Sequence, residues 1–523
     1  MGYAGQTYTV PCSRGGLNHS PNIDDIPPEA MVHPSRNINM HRGGKESRGG
    51  TAKVNASAGY GGARTMGGSD YINAAGTQFQ VVATTDGKIW KNTTETIKTG
   101  LTTGKHVSFV VMNTLLYICN GADRPQTWNG TDASTTDLAN IPTDWTGTNW
   151  PKQLLVHGAG NSERMWAIMP TGKKTLYASA NNNGVAAADF SDANVLVFYI
   201  ETGDSTGLTG MVEFGDRLFV LSKRKSFIMQ DTDADTDLWG YMQGQWVGGV
   251  ANHNLIVKTP NDVVCMMDDG EAYSLSAVQS YGDYQAASIT KPAYIDAWIR
   301  EFINRGQMEE NAHAIYNPNL RCIDFFLAYS ADTNTTNNVA LRYFIDRGPL
   351  EGWMPQDNQA AVSGYRASCS FLFKITEGNY EVRTGDYSGF VWTLESGTSD
   401  DSAGFYAGFK TPHMAFGDAR KSKHYFRGWV VCVPKGSWNL LVKIYIDGVY
   451  KATATVSLAG VGATLGAFIL DTDVLAGDEI ISASCPEGYV GQRISIEPYT
   501  TNAGETFFIS SLLFDFKMLG ARP

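Results

Sequence analysis

Two stretches decide the fold: RMWAIMPTGKKTLYAS, residues 164–179, and RLFVLSKRKSFIM, residues 217–229. Each contains two short apolar or aromatic segments joined by a polar turn, which is typical of a β-hairpin. The pattern recurs five more times. The seven pairs begin 36 to 58 residues apart, near Phe79, Leu115, Arg164, Arg217, Val263, Arg321 and Phe371. The other five are FQVVATTDGKIW (79–90), LLYICNGADRPQTW (115–128), VVCMMDDGEAYSL (263–275), CIDFFL with VALRYFI (322–345) and FLFKI with GFVWTL (371–394).

This spacing predicts a β-propeller, whose blades are four-stranded sheets of about 40 to 50 residues each. One blade cannot bury both of its faces, whereas a closed ring buries each face against the next blade. We expect six or seven blades over residues 76–400. The alternative, ordinary hairpins in a sandwich, is disfavoured because a sandwich typically takes only about 100 residues.

Composition supports an all-β protein with several domains. The 523 residues include 56 Gly, 24 Tyr, 23 Phe and 12 Trp, and only 18% are charged. The net charge of −11 is uneven, since residues 76–400 hold 23 Lys/Arg against 36 Asp/Glu. Such a surface would repel nucleic acid, although acidic surfaces also simply keep proteins soluble.

The two ends of the chain differ from the middle. Residues 1–75 are rich in Gly, Asn, Pro and Ser, so we predict an extended arm that lies on another domain or a neighbouring subunit. Residues 401–523 alternate in the manner of strands, as in NLLVKIYIDG (439–448). They predict a separate β-sandwich.

One helix is expected within AYIDAWIREFINRGQMEE, residues 293–310. Its apolar residues recur every three or four positions and form a stripe. We interpret the stripe as a contact with the rim of the propeller, and a docking helix for a partner is the alternative. The stripe consists of Ile295, Trp298, Ile299, Phe302 and Ile303.

No apolar run is long enough for a membrane-spanning helix, and the opening residues do not resemble a signal peptide. The cysteines form no Cys-x-x-Cys pair and several lie in strand-like runs, so free buried thiols are expected rather than disulfides or zinc ligands. They are Cys12, Cys119, Cys265, Cys322, Cys369, Cys432 and Cys485.

The catalytic motifs are weak. Ser205 is central in Gly-x-Ser-x-Gly (203–207), but a nucleophile elbow needs a helix next and the following residues predict a strand. Asp268 and Asp269 could form the carboxylate pair of a glycosidase, yet Asp-Asp-Gly is equally a hairpin turn. We prefer the loop and the turn, and predict no catalytic or cofactor-binding residue.

Charged clusters also have two interpretations. Alternate aspartates at 231–237 could bind calcium, but they lack the glycine and glutamate of a calcium loop, so a solvated turn is preferred. Two basic clusters could contact phosphates, or could pair with the acidic propeller. The histidines are scattered, His33 among them, and predict no metal site. The clusters are Asp231, Asp233, Asp235 and Asp237; His41, Arg42, Lys45 and Arg48; and Arg420, Lys421, Lys423, His424 and Arg427.

Longer phrases resemble tail hub or nozzle proteins of short-tailed bacteriophages, of the DNA-stabilisation type. Residues 10–50 are similar to the openings of these proteins, with a Gly-Gly-Leu stretch and a final Arg-Gly-Gly before the first blade. Residues 164–183, 207–230 and 248–275 are similar to their tandem blades. TPHMAFGDARKSKHYFRGW, residues 411–429, resembles the entry to an added β-sandwich.

The resemblance implies a structural virion protein, made in the host cytoplasm and not an enzyme. Its subunits would form a ring, sixfold in that family, below the portal and adaptor, with tail fibre or needle proteins as neighbours. The ring would retain packaged DNA and conduct it during ejection, and an acidic lumen would keep the DNA from sticking. The alternatives are a propeller that binds glycans through its 59 aromatic residues, and a propeller glycosidase.

Overall fold

A computed structural model describes residues 5–40, 42–55, 59–158, 163–170, 172–181, 188–203, 205–244, 248–275, 287–330, 333–358, 363–433, 435–458, 479–483 and 488–521. These residues form an all-β structure, as the composition predicts, with antiparallel sheets and two short helices, α1 (Ile295–Phe302) and α2 (Gly348–Glu351). Single turns of 3-10 helix lie at Ile23–Asp25, Gly59–Gly62, Thr236–Leu238, His253–Leu255, Lys291–Ala293, Arg305–Gln307 and Ile345–Arg347.

Seven of the sheets have four strands each. Sheet 1 contains β6 (Thr65–Ile72), β7 (Gln78–Thr84), β8 (Lys88–Lys91) and β9 (Glu95–Lys98); sheet 2 contains β10 (Ser108–Met112), β11 (Leu115–Cys119), β12 (Gln126–Trp128) and β13 (Thr136–Asp137); and sheet 3 contains β14 (Gln153–His157), β15 (Arg164–Ile168), β16 (Thr175–Ala178) and β17 (Leu196–Tyr199). Sheet 4 contains β18 (Leu208–Phe214), β19 (Arg217–Ser222), β20 (Ser226–Gln230) and β21 (Gly240–Gln243), and sheet 5 contains β22 (Ile256–Lys258), β23 (Val263–Met266), β24 (Ala272–Ser274) and β25 (Ala287–Ser288). Sheet 6 contains β26 (His313–Asn317), β27 (Cys322–Leu327), β28 (Val339–Phe344) and β29 (Trp353–Asp357), and sheet 7 contains β30 (Ala367–Thr376), β31 (Asn379–Asp386), β32 (Val391–Leu394) and β5 (Thr51–Lys53).

The small sheets are arranged in a ring. The first strand of each sheet lies beside the first strand of the next, and β30 of sheet 7 lies beside β6 of sheet 1. Hydrophobic side chains fill the space between each pair of neighbours, including the pair that closes the ring. Each sheet therefore buries both faces against others, and the arrangement is propeller-like.

The hairpins expected from sequence are present. In sheets 1 to 6 the predicted pairs are the second and third strands, and in sheet 7 they are the first and third. These strands carry the large buried side chains, such as Trp128, Trp166 and Trp392. Burial of a tryptophan side chain contributes about 4–6 kcal/mol, which explains why these strands have the clearest apolar pattern.

Two larger sheets share a second hydrophobic core, to which Cys322, Phe344 and Met354 of sheet 6 also contribute. Both include strands from the first 50 residues and strands from beyond residue 400. Sheet 8 contains β1 (Gln6–Pro11), β3 (Ile38–Asn39), β4 (Lys45–Ser47), β34 (Lys421–Val433), β37 (Glu479–Ala483), β38 (Tyr489–Gly491) and β40 (Phe508–Ala521); sheet 9 contains β2 (Val32–Arg36), β33 (Ala407–Lys410), β35 (Asn439–Ile446), β36 (Val449–Ser457) and β39 (Ile494–Thr500).

The N-terminal segment, residues 1–75, pairs with strands from several later parts of the chain. Strand β1 pairs with β40, β2 pairs with β33, and β5 is the fourth strand of sheet 7, where Ala52 faces Thr393. Strand β6, also within residues 1–75, is the first strand of sheet 1. The segment predicted to be an extended arm thus lies on both the ring and the two larger sheets of its own chain.

Helix α1 packs between the ring and the N-terminal segment. Trp298 and Ile299 are buried in the core that sheets 4, 5 and 6 share. Phe302 stacks on His33 at a centroid distance of 4.6 Å. The apolar stripe is therefore a core contact, and the helix ends at Phe302 because Ile303 takes an extended backbone and bridges to Tyr329.

Two arginines at the junction of the ring and the larger sheets are fully buried. Arg48 forms a bidentate pair with Asp400, at 2.9 and 2.7 Å. Arg342 forms one with Asp324, at 2.7 and 2.9 Å, and also donates to Glu395 at 2.5 Å. Burial alone would raise the pKa of Glu395, but the charge of Arg342 and the hydrogen bonds that the carboxylate accepts hold it below its usual value.

Six cysteines are described and all six are buried, and Cys12, Cys119, Cys265, Cys322 and Cys369 are free thiols, as predicted. Burial raises the pKa of Cys119 and Cys265, so these thiols are protonated and unreactive at neutral pH. Cys485 lies outside the described residues. Within the described part of the chain, no helix is long and apolar enough to cross a bilayer.

Candidate functional site

The residues of the candidate catalytic motifs lie in turns. Ser205 is exposed in the connection from β17 to β18, so a strand follows it and not the helix that a nucleophile elbow needs. Asp268 and Asp269 lie in the hairpin turn between β23 and β24, where Gly270 has a φ of +89°. Arg224 forms ion pairs with both carboxylates, at 2.7 and 3.2 Å.

The alternate aspartates also serve local structure. Asp233 accepts a hydrogen bond from the backbone N–H of Asp235, and Asp235 accepts one from Asp237, so each caps the next turn. Asp231 instead turns inward and contacts His157. Among the described residues, no three His, Cys, Asp or Glu side chains are placed to hold a metal ion.

The two predicted basic clusters are divided between core and surface. Lys45 and Lys423 are buried, and each ammonium donates to backbone carbonyl oxygens, for example Lys45 to Glu29 at 2.8 Å. Four other members lie at the surface. Arg48 belongs to the buried junction. The exposed members are Arg42, Arg420, Lys421 and Arg427; His424 is half-buried and His41 is outside the described residues.

The ring contains a site that the sequence did not reveal. Because the first strands run side by side, the residues at their starts meet on the ring axis. Arg64 precedes β6, Lys152 precedes β14, His313 begins β26, and His106 and His253 lie two and three residues before β10 and β22. These residues line two adjoining cavities of about 380 and 280 Å³, which we call the axial pocket.

The axial histidines are held neutral. Burial, and next the charge of Arg64, lowers the pKa of His106 to about 4. Burial and then the charge of Lys152 lowers the pKa of His253 to about 3, and burial is the main cause that lowers the pKa of His313 to about 3. These three histidines are scattered in sequence, and the repeat places them along the same two cavities.

The pKa of Lys152, the lysine of the axial pocket, is also lowered. Burial, together with the nearby charge of Lys223, lowers the pKa of Lys152 to about 8. Its ammonium donates to the carbonyl oxygen of Leu208 at 2.8 Å, and no described carboxylate lies within 4 Å of it. The axial pocket thus concentrates positive charge inside a segment that is acidic as a whole.

A second pocket lies at the opposite ends of the same inner strands. His157, the last residue of β14, contacts Glu213 of β18 at 3.3 Å and Asp231 at 3.1 Å. Burial alone would lower the pKa of His157, but hydrogen bonds and charge from Asp231 and Glu213 raise it above its usual value. We call this cavity of about 530 Å³, which Trp239 also lines, the His157 pocket.

Aromatic side chains form one wall of the His157 pocket. Trp166 and Trp239 are stacked at a centroid distance of 6.2 Å, and the guanidinium of Arg164 lies 5.2 Å from the ring of Trp239. Trp166 is fully buried and its indole N–H has no acceptor among the described residues. The pocket therefore combines carboxylates, an imidazole and aromatic surface.

Comparisons with known proteins assign no family. No protein-family model matches the chain, and no curated protein matches it. Among solved structures, one that is similar is the computationally designed Ika8 protein, which is 10% identical with a TM-score of 0.33. The match covers 64% of this chain and 97% of the designed chain.

Proposed function

We propose that this chain is a structural virion protein of a short-tailed bacteriophage, of the ring-forming tail hub or nozzle type. Its seven small sheets are the blades of a seven-bladed β-propeller, and the two larger sheets form a β-sandwich. The chain acts in the virion tail after synthesis in the host cytoplasm, and it is not an enzyme. Its neighbours are the adaptor and the tail fibre or needle proteins.

The observation that carries the proposal is the way the N-terminal segment locks the chain together. It supplies β5 to the ring and four strands to the larger sheets, and Arg48 joins the two parts at Asp400. A body closed in this manner resists opening under load, as a wall around passing DNA must. An enzyme with a moving lid would leave such connections loose.

Exposed apolar side chains suggest how subunits meet. Val197, Tyr199 and Leu238, each more than half exposed, lie on the outer edges of sheets 3 and 4, which the hydrogen bond from Glu201 N–H to Tyr241 brings together. We call this the edge patch. A second group, the tip patch, lies in sheets 8 and 9. It consists of Val449, Tyr450 and Val490.

Two different patches suit a ring of identical subunits. In a head-to-tail ring, one surface of each subunit contacts a different surface of the next, and the rotation closes the assembly. Contiguous exposed apolar surface is unusual on a monomer and marks contact sites. We propose that the edge patch of one subunit meets the tip patch of the next, in a ring of six around the DNA channel.

Electron microscopy of the purified chain, alone and with its neighbouring virion proteins, tests the proposal. We expect rings with a central channel for the wild type and dispersed subunits for Val197→Lys/Tyr199→Lys. Ile375→Lys is the matched control, because Ile375 is also exposed but lies in neither patch. Monomeric wild-type protein under both conditions would contradict the proposal, as would rings that the double variant leaves intact.

Glycan binding is the second candidate function, and the His157 pocket favours it. Sugars bind where aromatic faces adjoin carboxylates, and here Trp239 adjoins Asp231 and Glu213. Both carboxylates contact His157, and Glu213 also pairs with Lys258 at 2.9 Å, so neither is free to act as a glycosidase acid. A glycan array on which the wild type binds and Trp239→Ala does not would favour this function over the structural one.

A further inference from the structure

We propose that the axial pocket is a binding site for a phosphate group. The pocket lies where the first strands of the seven small sheets begin, with Arg64, Lys152 and three histidines around it. The proposal is independent of the role in a phage tail, because it rests only on charge and geometry within one chain. Its ligand is either a free phosphate ion or the terminal phosphate of a nucleic acid.

Positive charge exceeds negative charge around the axial pocket. Four cations line the larger cavity against two carboxylates, Glu309 and Glu310. Glu309 is already paired with Lys223 at 2.5 Å, and Glu310 is exposed. Neither Arg64 nor Lys152 has a carboxylate of the described chain within 4 Å. Lys105 is exposed and the other three cations are half-buried, so the pocket holds partly desolvated positive charge that an anion would compensate. The four cations are Arg64, Lys105, Lys152 and Lys223.

Two buried polar atoms of the axial pocket, one of Arg64 and one of His313, have no hydrogen-bond partner among the described residues. Nε of Arg64 is buried and has no acceptor among the described residues, although its Nη2 donates to Asn311 at 2.7 Å. His313, which is 5% exposed, makes a 3.3 Å contact from Nδ1 to the carbonyl oxygen of Asn311, and its Nε2 has no partner in the described chain. Buried polar atoms without partners are rare and indicate a missing ligand or solvent.

The charge and the hydrogen-bond donors of the axial pocket suit a phosphate group. The excess of two positive charges equals the charge of a phosphate dianion, whereas a carboxylate would leave one unmatched. Arginine presents a planar fork of donors that suits phosphate oxygens, and lysine adds a point charge. A bound anion would also favour the protonated forms of His106 and His253, which would then donate to it.

Calorimetric titration with inorganic phosphate at constant ionic strength is the direct test, with the full chain at pH 6 and pH 8. We expect one site per chain at both pH values, and at least a tenfold loss of affinity in Arg64→Met/Lys152→Met. Lys291→Met is the matched control, because Lys291 is exposed and pairs with Glu271 outside the pocket. Phosphorus NMR line broadening provides a second readout with the single variant His313→Gln.

Competition separates the two sources of phosphate. An oligonucleotide with a 5′-phosphate that displaces the ion, while the same strand without it does not, would identify a nucleic-acid end as the ligand. Failure of both strands to displace bound phosphate would identify the free ion. The proposal is overturned if wild-type protein binds no phosphate, or if the double variant binds it as tightly as the wild type and Lys291→Met.

Discussion

The junction of the ring with the larger sheets and the axial pocket both contain cations, but those of the junction are fully buried and those of the axial pocket, such as Arg64 and Lys152, are half-buried. At the junction, Arg48 and Arg342 each have a carboxylate in bidentate contact. In the axial pocket, Arg64 and Lys152 have none within 4 Å among the described residues. The junction is complete without a ligand, whereas the axial pocket is complete only when an anion is present.

This difference separates structural charge from functional charge. A buried ion pair that loses one partner leaves the other charge without compensation, and the protein loses several kcal/mol. A half-buried cation without a carboxylate partner contributes little to stability and can be removed at little cost. The two regions should therefore respond to substitution with different magnitudes, different pH dependence and, for one residue, a different sign.

The largest effect is expected at the junction. Arg342→Met leaves Asp324 and Glu395 buried without their cation, and the free energy of unfolding should fall by about 3–5 kcal/mol. Urea denaturation followed by tryptophan fluorescence measures it. Arg321→Met is the control, because Arg321 and its partner Asp346 are exposed, and a change of less than about 1 kcal/mol is expected there. Equal effects of the two variants would remove the distinction between the regions.

The axial histidines should make the folded chain less stable in acid. The folded pKa of His313 is about 3, below its unfolded value of about 6.5, so the unfolded chain binds protons first as the pH falls. Stability is thus lost below pH 6.5, by about 2 kcal/mol at pH 5 for this residue. His313→Gln should unfold with a shallower pH dependence than the wild type between pH 7 and 5. Identical slopes would contradict the assignment.

His157 should show the opposite pH dependence. Its pKa is raised in the folded state, so its bonds to Asp231 and Glu213 stabilise the chain fully below the unfolded pKa and fade as the pH rises through the folded value. His157→Gln should lower stability by about 1 kcal/mol at pH 6 and by little at pH 9. Thermal melting at both values measures this, and an equal loss at both would show that packing, not charge, dominates.

The smallest effect is expected for Lys152→Met, and its sign is reversed. The variant loses one hydrogen bond to Leu208 but also the cost of a half-buried cation, so in phosphate-free buffer it should be equal to the wild type or up to about 1 kcal/mol more stable. Urea denaturation with and without phosphate measures it. A loss comparable to that of Arg342→Met would show that Lys152 already has a partner.

The sequence predicts the central strands of the small sheets well, but it does not predict the pairing of N-terminal strands that closes the ring. Strands such as Arg217–Ser222 are buried on both faces and read as continuous apolar runs, so their existence follows from burial alone. The N-terminal strands are short and polar, and Thr51–Lys53 becomes a strand only because Val391–Leu394 offers it a free edge. No local pattern could reveal a pairing over that distance.

The axial site could not be found as a motif for the same reason. His106, Lys152 and His313 are far apart in sequence and share only one property, a position at or just before the first strand of a repeat. That property appears when the seven repeats are aligned on their hairpins. Residues at equivalent positions of a closed ring converge on its axis, so the alignment of repeats, rather than any spacing, is the signal.

The pairing of Thr51–Lys53 with Val391–Leu394, and of Gln6–Pro11 with Phe508–Ala521, also fixes when the chain can finish folding. Individual hairpins can form as they leave the ribosome, because their strands are neighbours in sequence. The ring cannot close until Val391–Leu394 has been synthesised, and sheet 8 is complete only with Phe508–Ala521; contacts between residues so far apart in sequence form slowly. The N-terminal strands therefore have no native pairing partner for most of synthesis, and their short, polar sequences limit aggregation during that time.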